Sequence, residues 1–208
     1  MKNPLSQFGK VPVQTGALET CFSDLSSPAK KIQSLEKDGD LVRLKRGLYI
    51  VNEEITGQKI DNKLCANQLY GPSYVSLQWA LRYYGLIPER VFTLTSVTTK
   101  RSRKFDSPLG TFSYYQVPKE YFSIGIKMET TDGYCSLIAT PEKALCDTIL
   151  SDNYVPNQSL IQLRSYLEED IRFDTDMLKE FNVSIIEECA KTGKKTNILN
   201  NLIKIIKQ

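Results

Sequence analysis

The sequence predicts an α+β fold, and three features of its 208 residues lead to this class. Near the N-terminus, a short helical segment is followed directly by two strands around a glycine turn. In the middle of the chain, four segments are rich in the β-branched and aromatic residues that favour strands. Beyond Asn157, apolar residues recur at helical spacing. We therefore expect two units, residues 1–52 and 61–208, the second being an α+β domain with a small, mostly antiparallel sheet and a helical tail over about residues 151–208.

The segment Ser26–Lys37 carries the local signals of a helix. Ser26 or Ser27 can cap its N-terminus, Pro28 suits the first helical position, and Gly39 can end the helix in the left-handed conformation. Helical spacing groups apolar side chains on one side, which is expected to pack, and leaves the other side free to contact phosphates. That polar side carries Ser27, Lys30, Lys31, Gln33, Ser34 and Lys37.

A basic β-hairpin is predicted directly after this helix, with its turn at Arg46-Gly47. Its apolar residues alternate imperfectly with basic ones, namely Leu41, Leu44, Leu48 and Ile50 with Arg43, Lys45 and Arg46. Together with a short helix predicted over residues 14–22, this order matches the recognition helix and wing of a winged helix-turn-helix. A full winged helix usually has three helices, and little room remains before Val11. We therefore expect a trimmed unit that contacts the rest of the chain.

The hypothesis of DNA binding depends on local charge. The net charge of +3 is too small to indicate a nucleic-acid binder by itself, whereas cations on a helix face and a wing release counterions from DNA phosphates. Because Glu36, Asp38 and Asp40 offset the basic residues, an ordinary solvated surface is the alternative. A second basic cluster is predicted to form an exposed loop that contacts DNA or a partner, or is simply solvated. It consists of Lys100, Arg101, Arg103 and Lys104.

The second unit is predicted to follow a connector at residues 52–61. Helices are expected over residues 64–70 and 76–85, and strands over residues 91–97, 111–117, 123–128 and 134–139. Thr140 and Pro141 then open a further helix as a cap and an N1 proline. The last helix places Leu199, Leu202, Ile203 and Ile206 on one stripe, for which core packing is expected. Core packing is also expected for Trp79, Tyr83, Tyr84, Tyr114 and Tyr115.

Composition excludes several classes of chemistry. The chain contains no histidine, and its five cysteines are dispersed without a C-x-x-C pair. These counts exclude catalytic pairs that need histidine and argue against a zinc site or a disulfide framework. Dispersed thiols fit a reducing compartment, and the sequence offers neither a signal peptide nor a membrane span, so we expect a cytoplasmic protein without membrane association. Phosphate-loop and calcium-loop motifs are absent, and no cofactor is expected.

Carboxylates offer one catalytic alternative. Asp132, Glu142 and Asp147, together with Lys143, would form a magnesium-dependent nuclease site if the fold brought them together. A structural role is the preferred interpretation, because Glu142 suits the first turn of a helix and Asp147 can be a polar position on an otherwise apolar helix. We therefore do not expect an enzyme.

Three groups of short motifs, taken together with their order and spacing along the chain, resemble the pattern of the AbiEi family of antitoxins from type IV toxin–antitoxin systems. They are R-G-L-Y at Arg46–Tyr49, the Y-V-S, A-L and G-L pieces within Tyr74–Leu86, and T-P-E-K-A-L-C-D at Thr140–Asp147. The resemblance covers most of residues 11–150 and does not cover the tail. It implies a bacterial protein whose N-terminal winged helix represses its own operon at inverted repeats. It also implies a second domain that counteracts a separate nucleotidyltransferase toxin.

Carried onto this chain, the resemblance implies a recognition helix that presents the polar side defined above and a wing that presents Arg43, Lys45 and Arg46. The expected partners are double-stranded DNA, bound as a monomer or a dimer, and the toxin, with or without direct contact. We therefore expect a DNA-binding autorepressor and antitoxin without catalytic activity. Two alternatives stay open: the metal-dependent nuclease, and a protein-interaction module that does not bind DNA.

Overall fold

The computed structural model describes residues 3–156, 159–192 and 194–208. The described chain begins with a 3-10 helix, Pro4–Phe8, which is followed by strand β1 (Val13–Gln14) and helix α1 (Thr15–Cys21). The side chain of Asn3 caps the 3-10 helix by accepting a hydrogen bond from the Leu5 N–H at 3.0 Å. The limited room before Val11 is therefore filled by one short 3-10 segment.

Helix α2 (Pro28–Lys37) lies where the local signals predict it. Pro28 occupies the first position, and Gly39, just past the end, has a φ of +81°, which glycine adopts without strain. Ile32 and Leu35 are buried, as the helical spacing indicates. The expected capping hydrogen bond is wrong, however, because Ser27 stands at the N-cap position without a side-chain bond to the helix.

The predicted hairpin is present as β2 (Leu41–Lys45) and β3 (Leu48–Val51), which pair antiparallel. Strand β1 pairs antiparallel with the other side of β3, so the order in this sheet is β1-β3-β2. A register shift between Arg43 and Lys45 bends β2 and accounts for the imperfect alternation in its sequence.

The strands of the second sheet are β4 (Ser73–Val75), β5 (Leu94–Thr98), β6 (Arg103–Ser107), β7 (Gly110–Gln116), β8 (Ile126–Thr131) and β9 (Tyr134–Ala139). Their order in the sheet is β6-β7-β5-β4-β9-β8. Two neighbouring pairs, β4 with β9 and β5 with β7, are parallel, and the other three pairs are antiparallel. Helix α3 (Glu53–Thr56) packs against the first 3-10 helix. The helices that accompany the six strands are α4 (Asn62–Leu69), α5 (Leu77–Tyr83) and α6 (Lys119–Phe122). The α+β class is confirmed.

Two strands of this sheet, β4 and β6, were not predicted. Strand β4 has only three residues, which is too short for a recognisable alternation. Strand β6 is polar and lies at the edge of the sheet. Its residues have little intrinsic preference for a strand, and pairing with β7 stabilises the strand conformation instead. The exposed loop predicted over residues 100–104 is consequently wrong in part, because Arg103 and Lys104 belong to β6.

The remaining helices pack on this sheet and on one another. They are α7 (Pro141–Ser151), α8 (Leu160–Ser165), a π-helical turn at Tyr166–Asp170, a 3-10 helix at Thr175–Glu180, α9 (Val183–Lys191) and α10 (Thr196–Ile206). The start of the predicted tail at Asn157 lies outside the described residues. Leu163, Leu167, Leu199 and Leu202 are fully buried, which confirms core packing for the tail.

The hairpin joins the two predicted units. Because side chains alternate along a strand, Tyr49 and Val51 of β3 pack into the small core under α2, whereas Leu48 and Ile50 pack into the large core of the second sheet. Leu44 of β2 belongs to the large core as well. The expected contact between the two halves is confirmed, and it is built from buried apolar side chains.

Candidate nucleic-acid interface

Helix α2 presents most of its predicted DNA-contacting side chains to solvent. Those of Lys30, Lys31, Gln33, Ser34 and Lys37 are exposed, and Ser27 is half-buried. The Ser34 hydroxyl donates to an Asp38 carboxylate oxygen at 3.2 Å. Across the described parts of the chain, the three lysines form no ion pair with a carboxylate. Their charge is therefore directed to the solvent, where phosphates can reach it.

The two arginines of the hairpin differ in their surroundings. Arg43 donates through Nη2 to a Glu36 carboxylate oxygen at 2.6 Å, and its guanidinium lies 5.7 Å from the centre of the Tyr49 ring. It thus ties β2 to α2. Arg46 lies exposed at the turn and has no carboxylate partner within the described residues. Of the two, Arg46 is the cation that is available to an external phosphate.

Lys45 has a partner in the second unit. Its ammonium donates to the carbonyl oxygen of Leu69, the last residue of α4. Carbonyls at the end of a helix lack helical partners and carry partial negative charge, so a lysine there acts as a cap. The predicted wing residue therefore connects the hairpin to α4, in addition to any contact with DNA.

Strand β6 lies beside β2 and brings the second basic cluster next to Lys45. The Lys100 ammonium lies 5.3 Å from the centre of the Tyr70 ring, and the Arg103 guanidinium lies 4.8 Å from that of Phe105. The Lys45 ammonium is 5.9 Å from the same Phe105 ring. We call Lys45, Lys100 and Arg103 the wing-edge cluster.

The cations of the wing-edge cluster influence one another. Burial lowers the pKa of Lys45, and the positive charges of Lys100 and Arg103 lower it further. An anion bound nearby would relieve this repulsion. Beside the cluster, Arg101 is exposed, and exposed Lys104 lies 3.6 Å from an Asp106 carboxylate oxygen.

Tyr70 and Phe105 are residues of this surface that the sequence did not indicate. Their rings are 5.5 Å apart between centroids and support the cations above them. The two residues are far apart along the chain, and only the pairing of β6 at the sheet edge brings them together. No local signal would have identified them.

The residues of the nuclease alternative have separate partners. Asp132 forms an ion pair with Lys10 at 2.9 Å, and a Glu142 carboxylate oxygen accepts a hydrogen bond from the Asn182 N–H at 2.8 Å. Asp147 lies in the core. Within residues 3–156, 159–192 and 194–208, no three His, Cys, Asp or Glu side chains are grouped so that they could hold a metal ion.

Asp147 is the centre of a buried polar network. Its carboxylate accepts hydrogen bonds from the hydroxyls of Tyr74 at 3.0 Å, Ser76 at 2.5 Å and Tyr121 at 2.7 Å. Lys143 Nζ lies 3.6 Å from the same carboxylate and donates to the Tyr121 carbonyl at 2.8 Å. Burial and the charge of Asp147 raise the pKa of both tyrosines well above the usual range, so their hydroxyls stay protonated donors. The network fixes α7 against β4 and α6.

The predicted core aromatics are only partly in the core. Tyr114 is buried, and Trp79 and Tyr84 are half-buried. The expectation is wrong for Tyr83 and Tyr115, which are 48% and 41% exposed. Trp79 and Tyr83 instead stack near the surface, with ring centroids 5.7 Å apart.

No protein-family model matches the chain, and no curated protein matches it significantly. Within the described residues, no helix combines the length and the apolar character needed to cross a membrane.

Proposed function

We propose that this chain is a DNA-binding transcriptional autorepressor and antitoxin of a type IV toxin–antitoxin system that opposes a nucleotidyltransferase toxin. One observation carries the DNA-binding part. The elements follow one another as 3-10 helix, β1, α1, α2, β2 and β3, and the strands are ordered β1-β3-β2. This order is typical of a winged helix-turn-helix, in which α2 is the recognition helix and the β2–β3 hairpin is the wing.

The dimensions and chemistry of α2 support this role. Its ten residues give a rod of about 15 Å, and an α-helix fits the major groove, which is about 12 Å wide. Gln33 offers the amide that pairs with adenine, whereas Lys30 and Lys37 supply charge to phosphates. Arg46 at the turn of the wing adds a further phosphate contact.

The wing-edge cluster extends the proposed interface beyond the winged helix. It adjoins the wing, and its like charges favour a nearby anion. Lys45 and Lys100 also bind backbone carbonyls, so exposed Arg101 is the more available cation of this region. DNA that lies along α2 and the wing would meet this surface next.

The antitoxin part of the proposal is supported by the resemblance of T-P-E-K-A-L-C-D, Thr140–Asp147, to the AbiEi family. In this chain the motif forms the N-cap and the first turns of α7, and it supplies Lys143 and Asp147 to the buried network. These structural roles explain why its residues occur together. A growth assay tests this part with a nucleotidyltransferase encoded beside the chain's own gene. Rescue by the chain and by its Lys30→Ala variant is expected, and lack of rescue by both would reject the antitoxin role for that pair.

Fluorescence anisotropy tests the DNA-binding part. The protein is titrated onto its own upstream DNA and onto a scrambled duplex across a salt series. If Lys30, Lys37 and Arg46 each touch a phosphate, each change to Ala reduces the slope of log affinity against log salt by about one. Gln33→Ala should reduce the preference for upstream DNA with little change in slope. Lys204→Ala, an exposed change on α10, is the matched control.

The outcomes separate the proposal from its main alternative. Selective binding that weakens in the α2 and wing variants, but not in Lys204→Ala, supports the repressor. Equal binding to both duplexes, or no binding by a protein whose circular dichroism is that of a folded chain, rejects it. Rescue of growth without DNA binding would then favour the protein-interaction module.

A further inference from the structure

A cleft of about 370 Å³ lies where the N-terminal unit meets the second sheet, away from α2. Four stretches of the chain, at Lys10, residues 59–63, Trp79 and residues 131–132, contribute to it. Lys10 comes from the stretch before β1, Lys59 from the connector, Lys63 from the first turn of α4, Trp79 from α5, and Asp132 from the turn between β8 and β9. The cleft thus combines three ammonium groups with the carboxylates of Asp61 and Asp132 and an aromatic ring, and none of these residues belongs to the proposed DNA interface. The Asp61 carboxylate is held by the first N–H groups of α4.

The three lysines differ in how firmly they are held. Lys63 Nζ lies 2.6 Å from a Glu129 carboxylate oxygen, and the side chains of both residues are largely buried, which makes this a structural pair. Lys59 is exposed and has no carboxylate partner in the described part of the chain. Lys10 is buried, and its ammonium lies 2.9 Å from Asp132, whose side chain is 74% exposed. Lys59 is therefore directly open to an incoming anion, whereas an anion can reach Lys10 only at the position that the Asp132 carboxylate occupies.

Asp132 is placed so that it can leave Lys10. It lies at the tip of the β8–β9 hairpin with a φ of +54°, a conformation that Asp and Asn tolerate better than most residues. Its carboxylate is well solvated, so little is lost when it turns outward. A bound anion would then take its place on the Lys10 ammonium.

The indole ring of Trp79 provides a planar apolar surface at the cleft. Its ring is parallel to that of Tyr83 within 11°, which holds the indole in one orientation. Trp79 is half-buried and lines the cleft. A planar ring is the ligand group that packs best against such a surface.

We propose that this cleft binds a nucleoside phosphate. The phosphate contacts Lys59 and replaces Asp132 on Lys10, and the base packs against Trp79. The volume of the cleft lies within the range of small-molecule sites, roughly 300–1,000 Å³. The cleft and the proposed DNA interface share no residue, so each can be changed without altering the side chains of the other.

Tryptophan fluorescence tests the proposal directly, since Trp79 is the only tryptophan in the chain. The full-length protein is titrated with GTP and ATP, with guanosine, which lacks phosphate, and with inorganic tripolyphosphate, which lacks a ring. N-acetyltryptophanamide corrects for absorption by the nucleotides, and calorimetry detects binding that leaves the fluorescence unchanged. We expect saturable binding of a nucleoside triphosphate that is at least about tenfold tighter than that of guanosine or tripolyphosphate.

Three variants identify the site. Lys59→Ala should weaken nucleotide binding about tenfold, because a charged contact is lost. Asp132→Asn should tighten binding, because the carboxylate that competes for Lys10 is removed while the turn conformation is kept. Lys204→Ala, a change at an exposed lysine of α10, should have no effect.

Three results would overturn the proposal. The first is no saturable binding of either nucleotide to the folded protein by both methods. The second is tripolyphosphate that binds as tightly as GTP and ATP, which would make the cleft a plain anion site. The third is weaker binding by Asp132→Asn, which would mean that the carboxylate itself holds the ligand. None of these results bears on DNA binding, which the anisotropy experiment measures separately.

Discussion

Lysines in this protein have roles that depend on their surroundings and not on their neighbours in sequence. Lys30 on α2 is exposed and forms no ion pair within the described residues. Lys45 caps the end of α4. Lys143 is fully buried beside Asp147. A count of basic residues therefore overstates the charge that is available to DNA, and contacts must be assigned one residue at a time.

At the residue scale, Asp147→Ala should strongly destabilise the protein. The change leaves the buried ammonium of Lys143 without its counter-charge and three hydroxyls without their acceptor. Removal of one partner of a buried ion pair costs about 3–5 kcal/mol of unfolding free energy. Urea denaturation measures this loss. Asp176→Ala is the control, because its ion pair with Lys179 is solvent-exposed, and it should change little. Similar losses in both variants would contradict the role given to Asp147.

At the scale of elements, the N-cap residues of α4 and α2 differ in how much they stabilise the start of the helix. Asp61 accepts hydrogen bonds from the N–H groups of Lys63, at 2.9 Å, and Leu64, at 3.3 Å, at the start of α4. Ser27 occupies the same position before α2 and makes no such bond. The capping signals in the sequence are similar, and only the orientation of each side chain distinguishes them.

Asp61→Ala should therefore cost about 1 kcal/mol of unfolding free energy, whereas Ser27→Ala should cost clearly less. Paired urea titrations of the two variants measure this difference. An equal loss would mean that the Ser27 hydroxyl caps α2 in solution.

Elements differ in how well local sequence predicts them. Helix α2 was predicted because proline, glycine and helical spacing all lie within its own segment. Strand β4 was missed because three residues carry too little pattern, and β6 because its strand conformation depends on pairing with β7. Local signals are sufficient only where an element is specified by its own residues.

At the scale of the whole molecule, the β2–β3 hairpin couples the two units. Ile50 is fully buried in the large core, although it belongs to the N-terminal unit. Ile50→Ala should lower the free energy of unfolding by about 2–5 kcal/mol. The loss should appear in urea unfolding monitored by Trp79, which lies in the second unit. Arg46→Ala, an exposed change in the same hairpin, should leave the midpoint nearly unchanged. An unaltered Trp79 transition in Ile50→Ala would mean that the units unfold independently.

The candidate interface shows the same division between local and tertiary information. Five of the six side chains predicted for the polar face of α2 are exposed, and Ser27 is half-buried, because helical periodicity alone decides which side chains share a face. The role of Lys45 and its approach to Lys100 and Arg103 were not predicted, because they depend on where β6 lies beside β2.

The sequence by itself determined the α+β class, the position of α2 and its hairpin, and the start of α7, since each follows from local propensity, capping and periodicity. The tertiary structure alone decided the six-strand order, the shared core at Ile50 and the cleft between Lys10 and Trp79. These features join segments that are far apart along the chain. Their free energy comes from burial and from long-range pairing, which a local pattern does not encode.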